Sequence, residues 1–510
     1  MRQTSFQSEP ATDGLGPLAC TPGPAPRLPD HGEVRRIIFG LMLAMLLGAL
    51  DQTIVATALP TIGEAFGDFT NLSWVITAYL LACTVATPLY GKLSDIYGRR
   101  VMLLTSVAAF SAASVACALA SSLLVLILAR GVQGLGGGGL ISLSQTIIAD
   151  LVPPRERGRY QAQIAGVFAA SSIAGPVLGG LFAQHLSWTL IFWINLPLGL
   201  VAFLVTSRAL RRLPRHEQRH RMDIPGAALM AAASILLLLA LGWGGVRFAW
   251  GAPVILGLLL GTAALTGLFI RRMSRAAEPF LPLGLLADPV VGRGIAAAFM
   301  AVGAMVGLSI YVPLYLETAR GLSATQSGLA LIPLMGGVVC GAVTSGRAMP
   351  RLLHYKRPAL VGVTISALML ALLAFGPYLP LPALAIAFVL VGAGIGTVLP
   401  VSTVSIQNAV PLHRMGTTTG VMTFFRQLGG ALVVAMLGAV LLSALGAQAG
   451  MDSETLARST SATSLEAAFR LVFLAVGVVA VLAAVALWSL PERPLRGSVH
   501  TAGEGDGGLI

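Results

Sequence analysis

Two charged residues stand inside apolar runs of this sequence, where a charge has unusual chemistry. Asp51 interrupts LLGALDQTIVATALP (46–60), and Arg130 interrupts ILARGVQGLGGGGL (127–140). Poor solvation favours the neutral form of a carboxyl group, whereas a nearby cation favours its ionised form. If the two residues lie close together, Asp51 could therefore alternate between a proton-bound and an ionised state.

The glycine-rich stretch around Arg130 has two interpretations. A phosphate-binding loop needs a preceding strand and usually a following Lys-Ser or Lys-Thr pair, but this stretch continues the apolar run SSLLVLILA and no lysine follows it. Within a membrane helix, glycines allow another backbone to come close. We therefore predict a closely packed helix. Packing does not explain Arg130, whose guanidinium could instead reach the membrane surface or bind backbone carbonyls.

The composition places most of the chain away from water. Of the 510 residues, 56% are hydrophobic and 11% are charged, against about 25% charged residues in a typical soluble domain. The formal net charge is +12. A basic excess can indicate nucleic-acid binding, but with this hydropathy it is typical of a membrane protein with basic loops. No nucleic-acid partner is expected.

Fourteen runs are long enough to cross a bilayer as helices, which takes roughly 20 apolar residues. Their centres lie near Met45, Ala82, Phe110, Gly138, Ser172, Pro197, Ser234, Leu260, Met305, Val338, Ala367, Leu390, Leu432 and Val479. With both termini in the cytoplasm, nearly all Lys and Arg residues fall in cytoplasmic loops and tails, as the positive-inside rule requires. The sequence therefore predicts an all-α integral membrane protein of the plasma (inner) membrane.

The chain also contains a parallel repeat. In one register, Gly134, Gly136, Gly138 and Val152-Pro153 match Gly392, Gly394, Gly396 and Val410-Pro411. Helices 1–6 and 9–14 thus form two six-helix copies in the same orientation, with helices 7 and 8 inserted, which is a transporter architecture. The predicted segments are a disordered tail over 1–34, a bundle over 35–212, a basic linker over 213–222, the inserted helices over 223–272, a linker over 273–290, a second bundle over 291–490 and a disordered tail over 491–510.

The two buried charges are predicted to lie at similar depth in the first bundle. Asp51 precedes Pro60 by about nine residues, or ~13 Å of helix, and Arg130 lies about seven residues into helix 4, or ~10 Å. We expect both to face a shared aqueous cavity. The alternative is a structural ion pair that never titrates. The repeat partner of Arg130 is Phe388, so the fold does not require a charge there.

A third charge lies in the second bundle. Arg426 stands in TFFRQLGGAL, near the middle of helix 13, and is expected to face the central cavity or to brace it. The four cysteines have no paired spacing and the seven histidines have no ligand spacing. We expect no metal site and no cofactor.

Several motifs resemble the major facilitator superfamily, and specifically its fourteen-helix drug:proton antiporter branch of the QacA/EmrB type. The loop from Gly91 to Arg100, GKLSDIYGRR, resembles the superfamily's signature between helices 2 and 3. The signature residues in this loop are Gly91, Lys92, Asp95, Gly98, Arg99 and Arg100. Its charges could form a latch that holds the cytoplasmic side closed. The second bundle has Pro350 where Asp95 stands, so the latch is expected on one side only.

Three further stretches are similar to motifs of the same branch. Asp51-Gln52 resembles the helix 1 motif, whose acid is implicated in drug and proton handling, and Arg130 with Gln133 resembles the helix 4 motif, whose arginine is linked to proton coupling. The helix 5 signature of exporters is matched by Gly175, Pro176, Gly179 and Gly180. The proline and glycines predict a bendable, closely packed span. An ordinary kinked packing helix would show the same pattern.

The resemblance implies a major-facilitator fold and proton-coupled export of small amphipathic, drug-like compounds by alternating access. An uptake symporter or a lipid translocator on the same fold is the alternative. A membrane transferase would need a nucleophile, metal ligands or a soluble domain, which the sequence does not show, so no enzymatic activity is expected. The expected partners are the small-molecule substrate, protons and the lipid bilayer, and an envelope adaptor protein stays an open question.

Overall fold

The computed structural model describes residues 31–69, 71–212, 222–276, 279–281, 283–376, 379–445 and 462–497. Within them, fourteen helices are long and apolar enough to cross a membrane. The prediction of fourteen spans is thereby confirmed. We number the main helix of each span α1 His31–Phe66, α2 Trp74–Tyr97, α3 Arg99–Ala118, α4 Leu123–Leu151, α5 Pro154–His185, α6 Asn195–Ala209, α7 Ile224–Trp243, α8 Pro253–Met273, α9 Pro289–Thr318, α10 Leu331–Ala348, α11 Arg357–Phe375, α12 Leu381–Ala409, α13 Met415–Ala444 and α14 Ala462–Ser489. The sixth span also includes the short helix Leu190–Trp193, which precedes α6.

The helices form two bundles, α1–α6 and α9–α14, which we call the N-half and the C-half. Each half has its own buried apolar core, with Phe110 and Met45 in the N-half and Phe388 and Phe469 in the C-half. The end of the bundle that carries the start of α1 and the arginine-rich loops is called the basic end below, and the other is called the opposite end.

Glycines bring the helices of both halves together in the same way. A Cβ atom at Gly138 of α4 would lie 2.6 Å from the carbonyl oxygen of Cys83 in α2, and one at Gly136 would lie 2.5 Å from the backbone nitrogen of Phe110 in α3. In the C-half, Gly396 of α12 packs against the backbone of α10, and Gly394 packs against α11. The prediction of a closely packed helix is confirmed, because no side chain fits at these crossings.

The inserted helices α7 and α8 follow the N-half in the chain and pack against the C-half near the basic end. Met230 of α7 and Phe269 of α8 share an apolar cluster with Ile295 of α9 and Met422 of α13. Asp223 begins α7 as its N-cap and also pairs with Arg272 at the end of α8, with the nearest atoms 2.8 Å apart. The pair therefore ties both inserted helices together where they reach this shared core.

The element boundaries differ from the predicted ones at two places. Helix α1 begins at His31, inside the segment expected as a tail, and continues through Pro60 to Phe66. At the other terminus, residues 491–497 lie against the basic end, where Arg493 pairs with Asp288 at 2.9 Å and Glu492 contacts His354 at 2.9 Å. The rest of both tails, residues 1–30 and 498–510, and residues 213–221 of the basic linker lie outside the described residues.

Candidate functional site

Asp51 lies in the middle of the N-half, where its carboxylate accepts three hydrogen bonds. Arg130 Nη1 of α4 donates to Oδ2 at 2.6 Å, while Gln133 Nε2 and Asn195 Nδ2 donate to Oδ1 at 2.9 and 3.0 Å. Charge-assisted bonds of this kind are the strong ones in proteins. Both carboxylate oxygens of Asp51 therefore have hydrogen-bond donors.

The side chain of Arg130 is oriented toward Asp51 by contacts with α2 and with α4. Its Nε donates to the carbonyl oxygen of Val75 in α2 at 3.1 Å, and its Nη1 also donates to Gln133 Oε1 at 2.6 Å. The guanidinium carbon lies 4.2 Å from the centre of the Tyr79 ring. Arg130 and Gln133 are three residues apart on α4 and therefore share one face of that helix.

The pair is enclosed in this conformation. The side chain of Asp51 is 0% exposed and that of Arg130 is 1% exposed. The prediction that both residues face a shared aqueous cavity is therefore wrong for this conformation, because the surrounding amides and the Tyr79 ring cover them. A buried ion pair survives only when additional hydrogen bonds satisfy it, and Gln133 and Asn195 provide these bonds.

Sequence reasoning missed several members of this cluster. Ser114 of α3 accepts from Gln133 at 2.8 Å, and Asn195 begins α6 within the stretch WINLPLG. Polar residues inside apolar runs were the signal available for both, but hydroxyl and amide side chains are common in membrane helices. Gln52 is half-buried and follows Asp51 directly on α1, so it lies beside the cluster.

The glycines of α5 pack against α1 next to Asp51. A Cβ atom at Gly175 would clash with the Thr53 hydroxyl, and one at Gly179 would clash with Thr57 and the carbonyl of Ile54. A Cβ atom at Gly180 would meet no other described residue within 4 Å, and Pro176 is exposed on the surface of the helix. The close contact thus lies within the N-half, and Gly180 does not contribute to it.

Arg426 of α13 lies in the C-half, apart from the cluster around Asp51. Its Nη2 donates to Thr403 Oγ1 of α12 at 2.6 Å and lies 3.4 Å from Ser402 Oγ. Its Nε is buried without a partner, and no Asp or Glu among the described residues forms a salt bridge with it. Arg426 is 9% exposed, so in this conformation it braces α13 against α12. The structure does not bring it together with Asp51 and Arg130.

At the basic end, Asp95 of α2 reaches across to the C-half. Its carboxylate accepts from the backbone nitrogens of Gly416 and Thr417 at 3.0 and 2.7 Å and from Thr417 Oγ1 at 2.6 Å. These groups form the first turn of α13. A carboxylate at a helix N-terminus binds otherwise unpaired backbone N–H groups and interacts favourably with the helix dipole. Asp95 therefore connects the halves.

Arg99 holds that carboxylate in place. Its Nη1 lies 2.5 Å from Asp95 Oδ1, and its Nε lies 2.8 Å from Oδ2 of Asp150 at the end of α4. The sequence analysis did not identify Asp150 as part of this network, because charged residues are common at the ends of membrane spans. The loop can turn here because Gly98 adopts a φ of +91°, a conformation that favours glycine.

The other signature residues surround this contact. A Cβ atom at Gly91 would lie 2.5 Å from the carbonyl oxygen of Gly416, so only glycine allows α2 and α13 to meet there. Lys92 and Arg100 are half-buried, and the Nε of Arg100 has no hydrogen-bond partner among the described residues.

The corresponding contact on the other side of the basic end has different chemistry. Gly158 of α5 lies against Gly346 of α10, backbone to backbone. The guanidinium of Arg155 donates to the carbonyl oxygen of Pro350, at 3.1 Å from Nη2. No carboxylate among the described residues bridges the halves there, so the charge network stands on the α2–α13 side alone.

Comparison with known proteins shows which family the chain belongs to. The family model described as "Major Facilitator Superfamily" matches residues 41–434. An uncharacterized MFS-type transporter of Mycobacterium tuberculosis (strain ATCC 25618 / H37Rv) is 36% identical over 82% of this chain and 61% of its own length. The chain thus spans about three fifths of that relative.

A second relative has a name that describes its activity. The multidrug transporter protein MdtP of Bacillus subtilis (strain 168) is 34% identical over 79% of this chain and 75% of its own length. Among solved structures, the human organic anion transporter MFSD10 superimposes with a TM-score of 0.61 over 89% of this chain and 99% of its own, at 17% identity. That likeness concerns the fold alone.

Proposed function

We propose that this chain, which belongs to the Major Facilitator Superfamily, exports small amphipathic compounds in exchange for protons. The superfamily consists of transporters, and the protein is a multi-pass membrane transporter with fourteen spans rather than an enzyme. Export, proton coupling and the plasma membrane as its location, with both termini in the cytoplasm, are the parts that we propose.

The observation that carries the proposal is the enclosed pair of Asp51 and Arg130. If Asp51 binds a proton, Arg130 becomes a buried charge without a counter-ion, and removing one partner of a buried pair is unfavourable by about 3–5 kcal/mol. The cluster then relaxes only if α1 moves relative to α4 and α6 or if water reaches the guanidinium. Proton binding is thereby coupled to a movement of helices.

The position of α5 extends this movement to the rest of the N-half. Thr53 Oγ1, two residues from Asp51, donates to the carbonyl oxygen of Ser171 at 2.9 Å, and Gly175 and Gly179 press against the same stretch of α1. A shift of α1 therefore has to displace α5 as well. In our proposal, this is how the state of one carboxyl group influences the opening between the halves.

The contacts at the basic end support alternating access. With the basic end in the cytoplasm, the bonds that Gly416 and Thr417 donate to Asp95 close the cytoplasmic side and correspond to an outward-facing state. Protons from outside would then reach Asp51 when the cluster opens, and substrate would leave. The name of the relative MdtP supports a multidrug substrate range.

The experiment is transport into inside-out membrane vesicles with an acidic lumen, screened over fluorescent dyes and antibiotics. We expect the parent protein to accumulate substrate in the lumen as protons leave it. Asp51→Asn keeps the shape of the side chain and removes its titration, so it should abolish gradient-driven accumulation while leaving substrate binding measurable. Glu64→Gln is the matched control, because Glu64 is an exposed acid on the same helix.

Three results would contradict the proposal. Full gradient-driven accumulation by Asp51→Asn at normal expression would mean that Asp51 is a structural partner of Arg130 only. Movement of substrate out of the acidic lumen together with protons would indicate an uptake symporter. Transport that persists after the gradient is collapsed would exclude proton coupling.

A further inference from the structure

A basic groove lies between the two halves, on the side away from Asp95. It has a volume of about 700 Å³ and lies between the start of α5 and the end of α10. Arg159 lines it from the N-half, and Arg347 and Arg351 line it from the C-half. No carboxylate contributes to its lining.

The three guanidinium groups of this groove have no counter-ion in the described part of the chain. None of them forms a salt bridge there, and all three side chains are exposed. Arg159 makes one further contact, with its guanidinium carbon 5.1 Å from the centre of the Tyr160 ring. Like charges that line one groove repel one another, and a bound anion relieves that repulsion.

The walls of the groove are suited to a lipid. Ala162 and Val343 supply an apolar surface beside the arginines, and the groove lies at the ends of two membrane-spanning helices, where headgroups of the bilayer are found. Arginine binds phosphate through parallel N–H···O bonds. A free phosphate ion would use the guanidinium groups but not the apolar wall.

The groove adjoins the point where the halves touch. Gly158 and Gly346 meet beside it, and Arg155 donates to the carbonyl oxygen of Pro350, which also lines it. A ligand held by Arg159 on one side and by Arg347 on the other can keep both contacts only while the basic end is closed. Its binding energy therefore favours the closed conformation.

We infer that this groove binds the headgroup of an anionic phospholipid from the surrounding leaflet, and that the lipid stabilises the conformation closed at the basic end. The inference stands apart from substrate export and from Asp51. On the side of Asp95 and α13, the protein's own carboxylate joins the halves. On the side of Arg159 and α10, the phosphate of a lipid joins the halves instead.

The test measures the width of the basic end in vesicles of defined composition. Spin labels are placed on Tyr97→Cys and Leu353→Cys, two exposed positions in opposite halves, with the native cysteines replaced by serine. Electron spin resonance then gives the distance distribution in phosphatidylcholine alone and with a quarter of the lipid replaced by phosphatidylglycerol. We expect the anionic lipid to raise the ratio of closed to open conformations roughly fivefold or more, a typical size of coupling between two equilibria.

The double variant Arg159→Gln, Arg347→Gln removes one charge from each half and should abolish this lipid dependence. The matched control is Arg271→Gln, Arg275→Gln, which removes two charges from a groove of about 710 Å³ beside α7 and α8 at the same end. Because that groove does not bridge the halves, the control should keep the lipid dependence of the parent.

Two outcomes would overturn the inference. Lipid dependence that persists in Arg159→Gln, Arg347→Gln, or is lost equally in the control, would show that the bilayer's surface charge acts without this groove. An equal shift with inorganic phosphate added to phosphatidylcholine vesicles would show that the site takes a free anion instead of a lipid. Neither outcome bears on Asp51, so export can succeed or fail independently.

Discussion

The two halves share one helical framework but differ in their buried chemistry. In α4, Arg130 forms an ion pair with Asp51 at 2.6 Å, whereas its repeat partner Phe388 in α12 is a buried member of the C-half core. The C-half has its own buried cation, Arg426, but hydroxyl groups of α12 surround it and no described carboxylate pairs with it.

This difference separates packing from function. The glycine crossings of α4 and α12 are equivalent, so the fold forms with or without a charge at the position of Arg130. A charge in the membrane is unfavourable by about 2.5–3.5 kcal/mol even on lenient scales. One half keeps such a charge although the other packs without it, which is why we place proton coupling in the N-half.

The largest expected effect comes from making the N-half resemble the C-half at one position. Arg130→Phe should lower the free energy of unfolding by about 3–5 kcal/mol, because it leaves Asp51 as a buried charge without a counter-ion. The double variant Asp51→Leu, Arg130→Phe should recover most of the lost stability, yet should not couple transport to protons. Denaturant unfolding of the purified protein measures the first effect and vesicle transport measures the second.

The C-half provides the control for that experiment. Arg426→Met should be milder, at about 1.5–3 kcal/mol, because it removes a hydrogen bond to a charged group without leaving a buried carboxylate. Thr403 keeps its own bond to the carbonyl oxygen of Leu399 at 2.7 Å. An equal loss for Arg426→Met and Arg130→Phe would end the distinction between the halves.

An intermediate effect is expected at the basic end. There the contact between α2 and α13 involves the charge of Asp95, whereas the contact between α5 and α10 involves no carboxylate among the described residues. Asp95→Asn removes the charge that binds the first turn of α13 and Arg99. Bonds to charged groups are worth about 1.5–3 kcal/mol, so the equilibrium should shift by roughly tenfold or more toward a conformation open at that end. The distance between spin labels at positions 97 and 353 measures this shift.

Pro350→Ala is the matched change on the other side of the basic end. Arg155 donates to the backbone carbonyl of Pro350, and alanine keeps that carbonyl, so the distance should stay that of the parent. If Pro350→Ala opened the basic end as far as Asp95→Asn, the closure would not depend on the charge network.

The smallest effect concerns the inserted helices, whose ion pair lies at the basic end. Burial acts to raise the pKa of Asp223, but the hydrogen bonds from Arg272 and from the backbone nitrogen of Gly226 outweigh it and lower the pKa overall. A lowered pKa in the folded state means that the stabilisation is complete above the ordinary value near 3.9 and is lost as the pH falls through the lowered value.

Asp223→Asn should therefore cost at most about 1 kcal/mol at pH 7, since Arg272 is partly exposed. The difference in unfolding temperature between variant and parent should shrink as the pH falls below about 4, toward zero under more acidic conditions. A difference that stays constant down to acidic pH would show that the carboxylate's charge is not involved.

Much of the architecture could be predicted because it follows from local composition. Spans of apolar residues and the repeat of Gly134, Gly136 and Gly138 in the second half are properties of the sequence, and the structure has the same fourteen helices and the same crossings. The similar depth of Asp51 and Arg130 could be estimated from helical rise, since both residues lie on long helices of one bundle.

The surroundings of these residues could not be predicted in the same way. Asn195 and Ser114 contact the cluster from α6 and α3, but serines and asparagines occur in many membrane helices, and no spacing distinguishes these two. The bonds from Gly416 and Thr417 to Asp95 involve backbone nitrogens, which every residue except proline carries.

The sequence by itself determined the membrane, the number of helices, the two-fold repeat and the identity of the buried charges, because hydropathy and helical periodicity act within short stretches of chain. Only the tertiary structure decided that Asp51 is enclosed instead of facing a cavity, that Arg426 belongs to another cluster, and that Asp95 binds α13 across the interface between the halves. These outcomes depend on how helices rotate and cross, and a change of a few ångströms in packing turns a side chain from solvent to a partner.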